Sequence, residues 1–129
     1  MNVAYVDASA LTKLILDEPC SAAMHRWYIE AERVASSVVG VIETRRAVAR
    51  HVDAFEQLEV LLRSVVKLEV DRIVAGLAAT LEPAALRTLD AIHLASAMGL
   101  ADQLDAFVTY DDRLATAARA VGLPVVRPA

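Results

Sequence analysis

Four carboxylates in this sequence stand where chemistry is done. Asp7 closes the apolar run Asn2–Val6, and Asp111 follows the run Ala106–Tyr110. Glu43 falls in the first turns of the helix expected after Val34–Ser37. Asp90 lies within Leu89-Asp90-Ala91-Ile92-His93-Leu94-Ala95-Ser96-Ala97-Met98, a stretch apolar nearly all round, which marks a buried helix. It shares a face with Leu94 and Ala97. A lone carboxylate there costs several kcal/mol unless something compensates it. Three partners can do so: Arg87 one turn before, His93 one turn after, or a metal ion.

Four acids converging from distant segments weigh toward the metal. Carboxylates a few ångströms apart repel and raise each other's pKa, and a divalent cation removes that penalty. Oxygen-only ligands without a cysteine cluster suit Mg²⁺ or Mn²⁺ rather than zinc. Such a site deprotonates water and neutralises a phosphodiester, so the chemistry is metal-assisted hydrolysis. Ser9 reads as the N-cap of the first helix, as a donor to the Asp7 carboxylate, or as both. Thr109 reads as a similar donor to Asp111. Arg87 and Arg113 each lie within three residues of a candidate ligand, which makes them candidates to bind phosphate. Arg46 and Arg50 share a face with Glu43 and read as a solvated or ion-paired stripe. His25, His51 and His93 are scattered and form no ligand set; His93 reads as a hydrogen-bonded core or site-rim residue.

The elements that must position these groups alternate along the whole chain. Strands are expected at Asn2–Val6, Val34–Ser37, Val66–Val70, Ala106–Tyr110 and Pro124–Val126. Helices are expected from Ser9 to before Pro19, from Ser21 to Arg33, through Ile42, Arg46 and Arg50, and from Phe55 to Val65. Further helices run from Asp71 to Leu81, from Thr88 to Leu100, and from Asp112 to Val121, the last closed by Gly122. Alternation of this kind predicts one α/β domain over residues 1–129, an α/β/α sandwich on a mostly parallel sheet of four to five strands. In open parallel sheets, ligands bind at the carboxyl ends of strands. Asp7 and Asp111 stand at such ends, and Glu43 can face the same edge.

Composition narrows the class. The 129 residues are 57 % hydrophobic with mean hydropathy +0.42, so the chain is no disordered tail. Only 4 Gly and 4 Pro occur, too few for a turn-dense β-sandwich. A single cysteine, Cys20, excludes an internal disulfide and a multi-thiolate zinc site, and fits a reducing cytoplasm. The longest run without a charged residue, Ala91–Ala101, has 11 residues, against about 20 needed to span a bilayer. With 17 acidic and 13 basic residues the net charge is −4, so no basic footprint for nucleic acid covers the chain. The four glycines are isolated, so no phosphate-cradling loop is present.

The arrangement resembles the PIN-domain nucleases, and within them the VapC toxins of toxin–antitoxin pairs. Val6-Asp7-Ala8-Ser9-Ala10-Leu11 looks like the first motif of that family and Val41-Ile42-Glu43 like the second. Thr88-Leu89-Asp90-Ala91-Ile92-His93-Leu94-Ala95 is similar to the most specific signature, and Phe107-Val108-Thr109-Tyr110-Asp111 with Arg113-Leu114-Ala115 to the fourth. The resemblance implies metal ligation by Asp7, Glu43, Asp90 and Asp111 and a Mg²⁺-dependent endoribonuclease acting on tRNA or rRNA. It also implies a homodimer and a neutralising VapB-type antitoxin. Asp112 is a second candidate for the fourth acid. The family pattern favours Asp111, two residues after Thr109, and leaves Asp112 to cap the last helix. A dehalogenase-type phosphatase needs a second Asp where Ser9 stands, and a receiver domain needs a late lysine, whereas the last lysine is Lys67.

Overall fold

The computed structural model describes residues 2–129. Five strands, β1 (Val3–Val6), β2 (Val34–Ser37), β3 (Val65–Leu68), β4 (Leu104–Val108) and β5 (Val125–Val126), form one sheet in the order β3-β2-β1-β4-β5. Every pairing is parallel. The chain builds outward from β1 through β2 to β3, then returns to the other side of β1 for β4 and β5. Strand order therefore reverses between β1 and β4, and the crevice of such a sheet opens there.

Seven helices connect or cover the strands: α1 (Ala8–Lys13), α2 (Ser21–Glu30), α3 (Val38–Val48), α4 (Phe55–Arg63), α5 (Arg72–Thr80), α6 (Thr88–Met98) and α7 (Asp112–Ala120). Side chains of β1 and β4 alternate between two cores, as the strand period requires. Ala4, Val6, Ala106 and Val108 pack with Leu11 and Leu14 near α1 and Met24 of α2. Tyr5 and Phe107 face the opposite way, against Leu94 and Ala97 of α6 and Leu114 and Ala118 of α7. A third cluster joins Val41 and Val48 of α3 to Leu58 and Leu62 of α4. β1 is buried along its whole length, which is why it reads as a continuous apolar run rather than an alternating one. The α/β/α sandwich is thus as expected, with five strands.

Several boundaries differ from the expectation. The first helix ends at Lys13, well before Pro19. The Leu14 amide turns back to the Leu11 carbonyl, and Ser21 Oγ donates to the Leu16 carbonyl while accepting the Glu18 amide, which ties the following loop. α2 stops at Glu30 because Ala31 is extended and leads straight into β2. β4 begins two residues before the expected start, since Leu104 pairs with Val3 across a register irregularity. β3 lies at the sheet edge and keeps an exposed centre, consistent with its alternating apolar and charged residues. Asp71 caps α5 by accepting the Val74 amide, and Gly122 takes φ +84° after α7, a conformation that costs glycine little. Among the described residues no helix is long and apolar enough to cross a membrane.

Phe107 is fully buried and stacks on Tyr5 with ring centroids 5.2 Å apart. Phe107→Ala is expected to lower the unfolding free energy by about 3–5 kcal/mol. Ile73→Ala, at a side chain 80 % exposed, should change it by about 0.5 kcal/mol or less. Urea denaturation of both variants checks the contrast.

Candidate active site

Asp7 stands where β1 ends and α1 begins, at the point where strand order reverses. Its amide continues the ladder by donating to the Val108 carbonyl at 3.2 Å. Its side chain caps α1: Oδ1 accepts the Ala10 amide at 3.1 Å and the Ser9 hydroxyl at 2.6 Å. Oδ2 accepts the Thr109 hydroxyl at 2.6 Å. The two hydroxyls are in turn anchored, since Ser9 Oγ accepts the Tyr110 amide and Thr109 Oγ1 accepts the Asp111 amide. One carboxylate thereby ties the ends of β1 and β4 together. Asp7 is only 3 % exposed, and burial raises its pKa against the opposing hydrogen bonds of Ser9 and Thr109.

This geometry decides between the readings of Ser9 and corrects that of Thr109. The cap of α1 is Asp7, and Ser9, already inside the first turn, is the donor to it. Thr109 donates to Asp7 rather than to Asp111, because neighbouring parallel strands place the two chain exits side by side. The capping role expected of Asp112 belongs instead to Asp111. Asp111 has the extended backbone an N-cap requires, and its Oδ1 accepts the Arg113 and Leu114 amides at 2.9 and 3.1 Å. Asp112 is the first helical residue, so its side chain projects outward and pairs with Arg127 at 2.7 Å.

Asp90 lies in the first turn of α6 and is 9 % exposed. Among the described residues it forms no ion pair, and no hydrogen bond to its carboxylate is found. Neither protein partner considered from the sequence reaches it. Arg87 is exposed and unpaired at the cap position of α6. Both ring nitrogens of His93 are committed elsewhere: Nδ1 to the Tyr5 hydroxyl at 2.6 Å and Nε2 to Glu43 Oε1 at 2.7 Å. Burial raises the Asp90 pKa, and the charge of Asp111 raises it further, against the opposing influence of His93, Arg87 and Arg113. Asp90 and Asp111 are thus mutual electrostatic neighbours.

Glu43 sits in the second turn of α3, half-buried, with one oxygen on His93. The Tyr5 phenol, held far above its usual pKa chiefly by burial, also feels the charges of Asp7 and Glu43. Asp7 and Asp111 thus follow the carboxyl ends of the adjacent strands β1 and β4, Glu43 is joined to α6 through His93, and Asp90 lies in the field of Asp111. Among the described residues no three of the acids, histidines and cysteine already stand as a group able to hold a metal ion. The donor set fits a hard divalent ion on one observation above all: Asp90 is a largely buried acid with no hydrogen-bond or ion-pair partner among the described residues, and the charge of Asp111 acts on it. Arg113 is exposed beside Asp111, and Arg46 and Arg50 are exposed without ion pairs, so the last two are a solvated stripe. Tyr5 was not identified as a site residue from the sequence. Its only signal is one aromatic in an aliphatic strand, two residues before Asp7, and a buried phenol requires a polar partner.

The chain matches the PIN domain family model over residues 4–120. It is 42 % identical over 130 residues to Ribonuclease VapC47 of Mycobacterium tuberculosis (strain CDC 1551 / Oshkosh), covering 96 % of each chain. It is 38 % identical to Ribonuclease VapC46 of M. tuberculosis (strain ATCC 25618 / H37Rv), covering 99 % of each. The fold is similar to the crystal structure of M. tuberculosis VapC20, described as a sarcin–ricin loop cleaving toxin, with TM-score 0.72, 18 % identity and coverage of 97 % and 99 %. A toxin–antitoxin complex from Klebsiella pneumoniae gives TM-score 0.74 at 19 % identity over 98 % of each chain.

Raised carboxyl pKa values have a consequence for stability. A carboxyl whose folded value stands above an unfolded value of about 3.9 binds more protons when folded, between those two values. Stability therefore falls as pH rises through that window and stays reduced above it. Metal-free protein is expected to lose stability as pH rises from about 3.9, the unfolded value, through the raised folded values. Asp90→Asn removes its share, so it should melt above wild type at pH above those values, with the gap closing toward about pH 4. Scanning calorimetry in EDTA checks this; parallel pH profiles for the two proteins would contradict it.

Proposed function

This chain belongs to the PIN-domain family, in its VapC ribonuclease branch, and we propose that it is a Mg²⁺-dependent endoribonuclease that acts as the toxin of a toxin–antitoxin pair. The observation that carries this reading is Asp90, a largely buried acid that makes no ion pair or hydrogen bond through its carboxylate among the described residues and lies in the field of a second acid, Asp111. Asp7, Glu43, Asp90 and Asp111 would hold the ion, with Mn²⁺ as an alternative to Mg²⁺. When bound, a divalent ion there lowers the pKa of a water and offsets charge on the phosphodiester being cut. The protein's own part is positional. Ser9, Thr109 and the Ala10 amide hold the Asp7 carboxylate from three directions. The Arg113 and Leu114 amides hold Asp111, and α1, α3 and α7 begin directly after β1, β2 and β4, so their N-termini lie at this edge, where their partial positive charge favours anions.

The substrate is RNA of the tRNA or rRNA class. A chain of net charge −4 needs local cations to receive a polyanion, and the exposed Arg87 and Arg113 flank Asp90 and Asp111 for that purpose. The protein works in the cytoplasm as a homodimer, and a VapB-type antitoxin neutralises it. A basic antitoxin side chain entering the acidic edge would form charge-assisted hydrogen bonds with the same carboxylates that hold the ion.

Asp90→Asn should keep the fold and lose at least about 100-fold of metal-dependent RNA cleavage, since ion-mediated charge stabilisation amounts to several kcal/mol. Undiminished cleavage in that variant, or in excess EDTA, removes the metal mechanism. Mg²⁺ at about 100 times its dissociation constant should stabilise wild type by about 2.7 kcal/mol and Asp90→Asn far less, read from melting curves. Antitoxin affinity should drop in saturating Mg²⁺ at constant ionic strength, because binding linkage is reciprocal. Titration calorimetry with a co-purified antitoxin measures it, and an unchanged affinity places inhibition elsewhere.

A further inference from the structure

A file of hydrogen bonds runs through the core and ends on Glu43. The Ser37 amide, at the end of β2, donates to the Tyr5 hydroxyl oxygen at 3.1 Å. That hydroxyl lies 2.6 Å from His93 Nδ1, and His93 Nε2 lies 2.7 Å from Glu43 Oε1. Four elements, β2, β1, α6 and α3, are joined in this way. Tyr5 is 0 % and His93 3 % exposed, so solvent does not compete for the two middle links.

The donors run in one direction. The Glu43 carboxylate can only accept, so it meets the N–H of Nε2, which leaves Nδ1 of a neutral ring to accept the phenol proton while the phenol oxygen takes the Ser37 amide. With Nδ1 accepting, the proton of a neutral imidazole sits on Nε2, aimed at Glu43. The rings have little freedom. Tyr5 is stacked on Phe107 at an interplanar angle of 7° and meets His93 edge-on, with centroids 5.8 Å apart. Gly40 closes the other side: a Cβ there would lie 3.1 Å from His93 Cε1 and 2.4 Å from Ser36 Oγ. The imidazole therefore occupies a slot that a larger residue in α3 would intrude upon.

We propose that Tyr5 and His93 are positioning residues that hold the Glu43 carboxylate at the sheet edge, oriented for the metal ion. The inference rests on the reading of Glu43 as a ligand. Glu43 is a flexible side chain on a helix surface, a third exposed. Unsupported, it must be immobilised each time an ion binds. The His93 N–H holds one carboxylate oxygen and leaves the other free, and the Tyr5 hydroxyl, itself anchored by the Ser37 amide, fixes the orientation of the ring. Groups that orient a ligand in this way are worth about 10- to 100-fold in metal affinity.

Four proteins test the proposal: wild type, Tyr5→Phe, His93→Leu and His93→Gln, each checked for folding by its melting curve. Mn²⁺ affinity is read by calorimetry, and the His93 ring protonation of wild type by long-range ¹H–¹⁵N spectra without metal. Tyr5→Phe, which removes only the hydroxyl, and His93→Leu are expected to bind Mn²⁺ about 10- to 100-fold more weakly than wild type. His93→Gln retains an N–H donor and should recover most of the loss, a rescue that a purely structural role would not produce. Should Tyr5→Phe fail to fold, the His93 pair and the wild-type spectrum decide. Wild-type affinity in Tyr5→Phe and His93→Leu overturns the proposal, as does a ring proton found on Nδ1 of wild type. Wild type that neither binds Mn²⁺ nor cleaves RNA overturns the metal reading itself. Wild type that does both, beside variants indistinguishable from it, overturns the positioning role alone.

Discussion

A carboxylate buried at the end of the central strand sets the terms for everything around it. Asp7 is removed from water where β1 gives way to α1, and a charge placed there must be met by donors. The Ala10 amide, Ser9 and Thr109 meet it, and the last two come from opposite sides of the switch point. The same hydroxyls accept the amides of Tyr110 and Asp111, so the bonds that stabilise the charge also set the path of the chain leaving β4. Once that path is set, Asp111 is carried to the start of α7 and becomes its cap.

Asp7 and Asp90 are two different solutions to one electrostatic problem. Both are buried acids with raised pKa values, and burial is the largest cause in each. Asp7 is satisfied internally and serves the architecture whether or not an ion is present. Asp90 is left open, next to a second negative charge, and the fold bears that cost. Placing both at one edge lets the first hold the frame rigid while the second stays available.

A similar division appears among the polar groups of the α6 layer. Tyr5 and His93 are core residues by burial, with Phe107, Leu94 and Ala97 among their surroundings, yet their polar atoms are aligned toward Glu43. A core that needed only volume would use a phenylalanine and a leucine at these two positions. Gly40 shows the same demand from the facing helix, since even a methyl group there would crowd the imidazole.

Much of this was legible in the sequence. Alternating apolar runs and helical periods dictated a parallel α/β/α domain, because a strand buried on both faces cannot look otherwise. Asp90 announced itself as a charge in an apolar helix, and Asp7 and Asp111 as acids where strands end. Those are local signals, carried by period and residue type. Hydrogen-bond partners are not local, and here the sequence was silent or misleading. It offered Asp112 as the cap of α7, whereas the cap is decided by which residue keeps an extended backbone before the first helical turn, and that is Asp111. It paired Thr109 with the acid nearest in sequence, whereas the registry of β1 against β4 brings it to Asp7, 102 residues away. It read His93 correctly as a hydrogen-bonded core or site-rim residue but also offered it as a partner for Asp90, whereas the packing of α6 turns that ring to Tyr5 and Glu43. The sequence by itself determined which residues are buried and which of those carry charge. Only the tertiary structure decided which charges meet, because side chains two or three residues apart along the chain point where the packing of whole elements sends them.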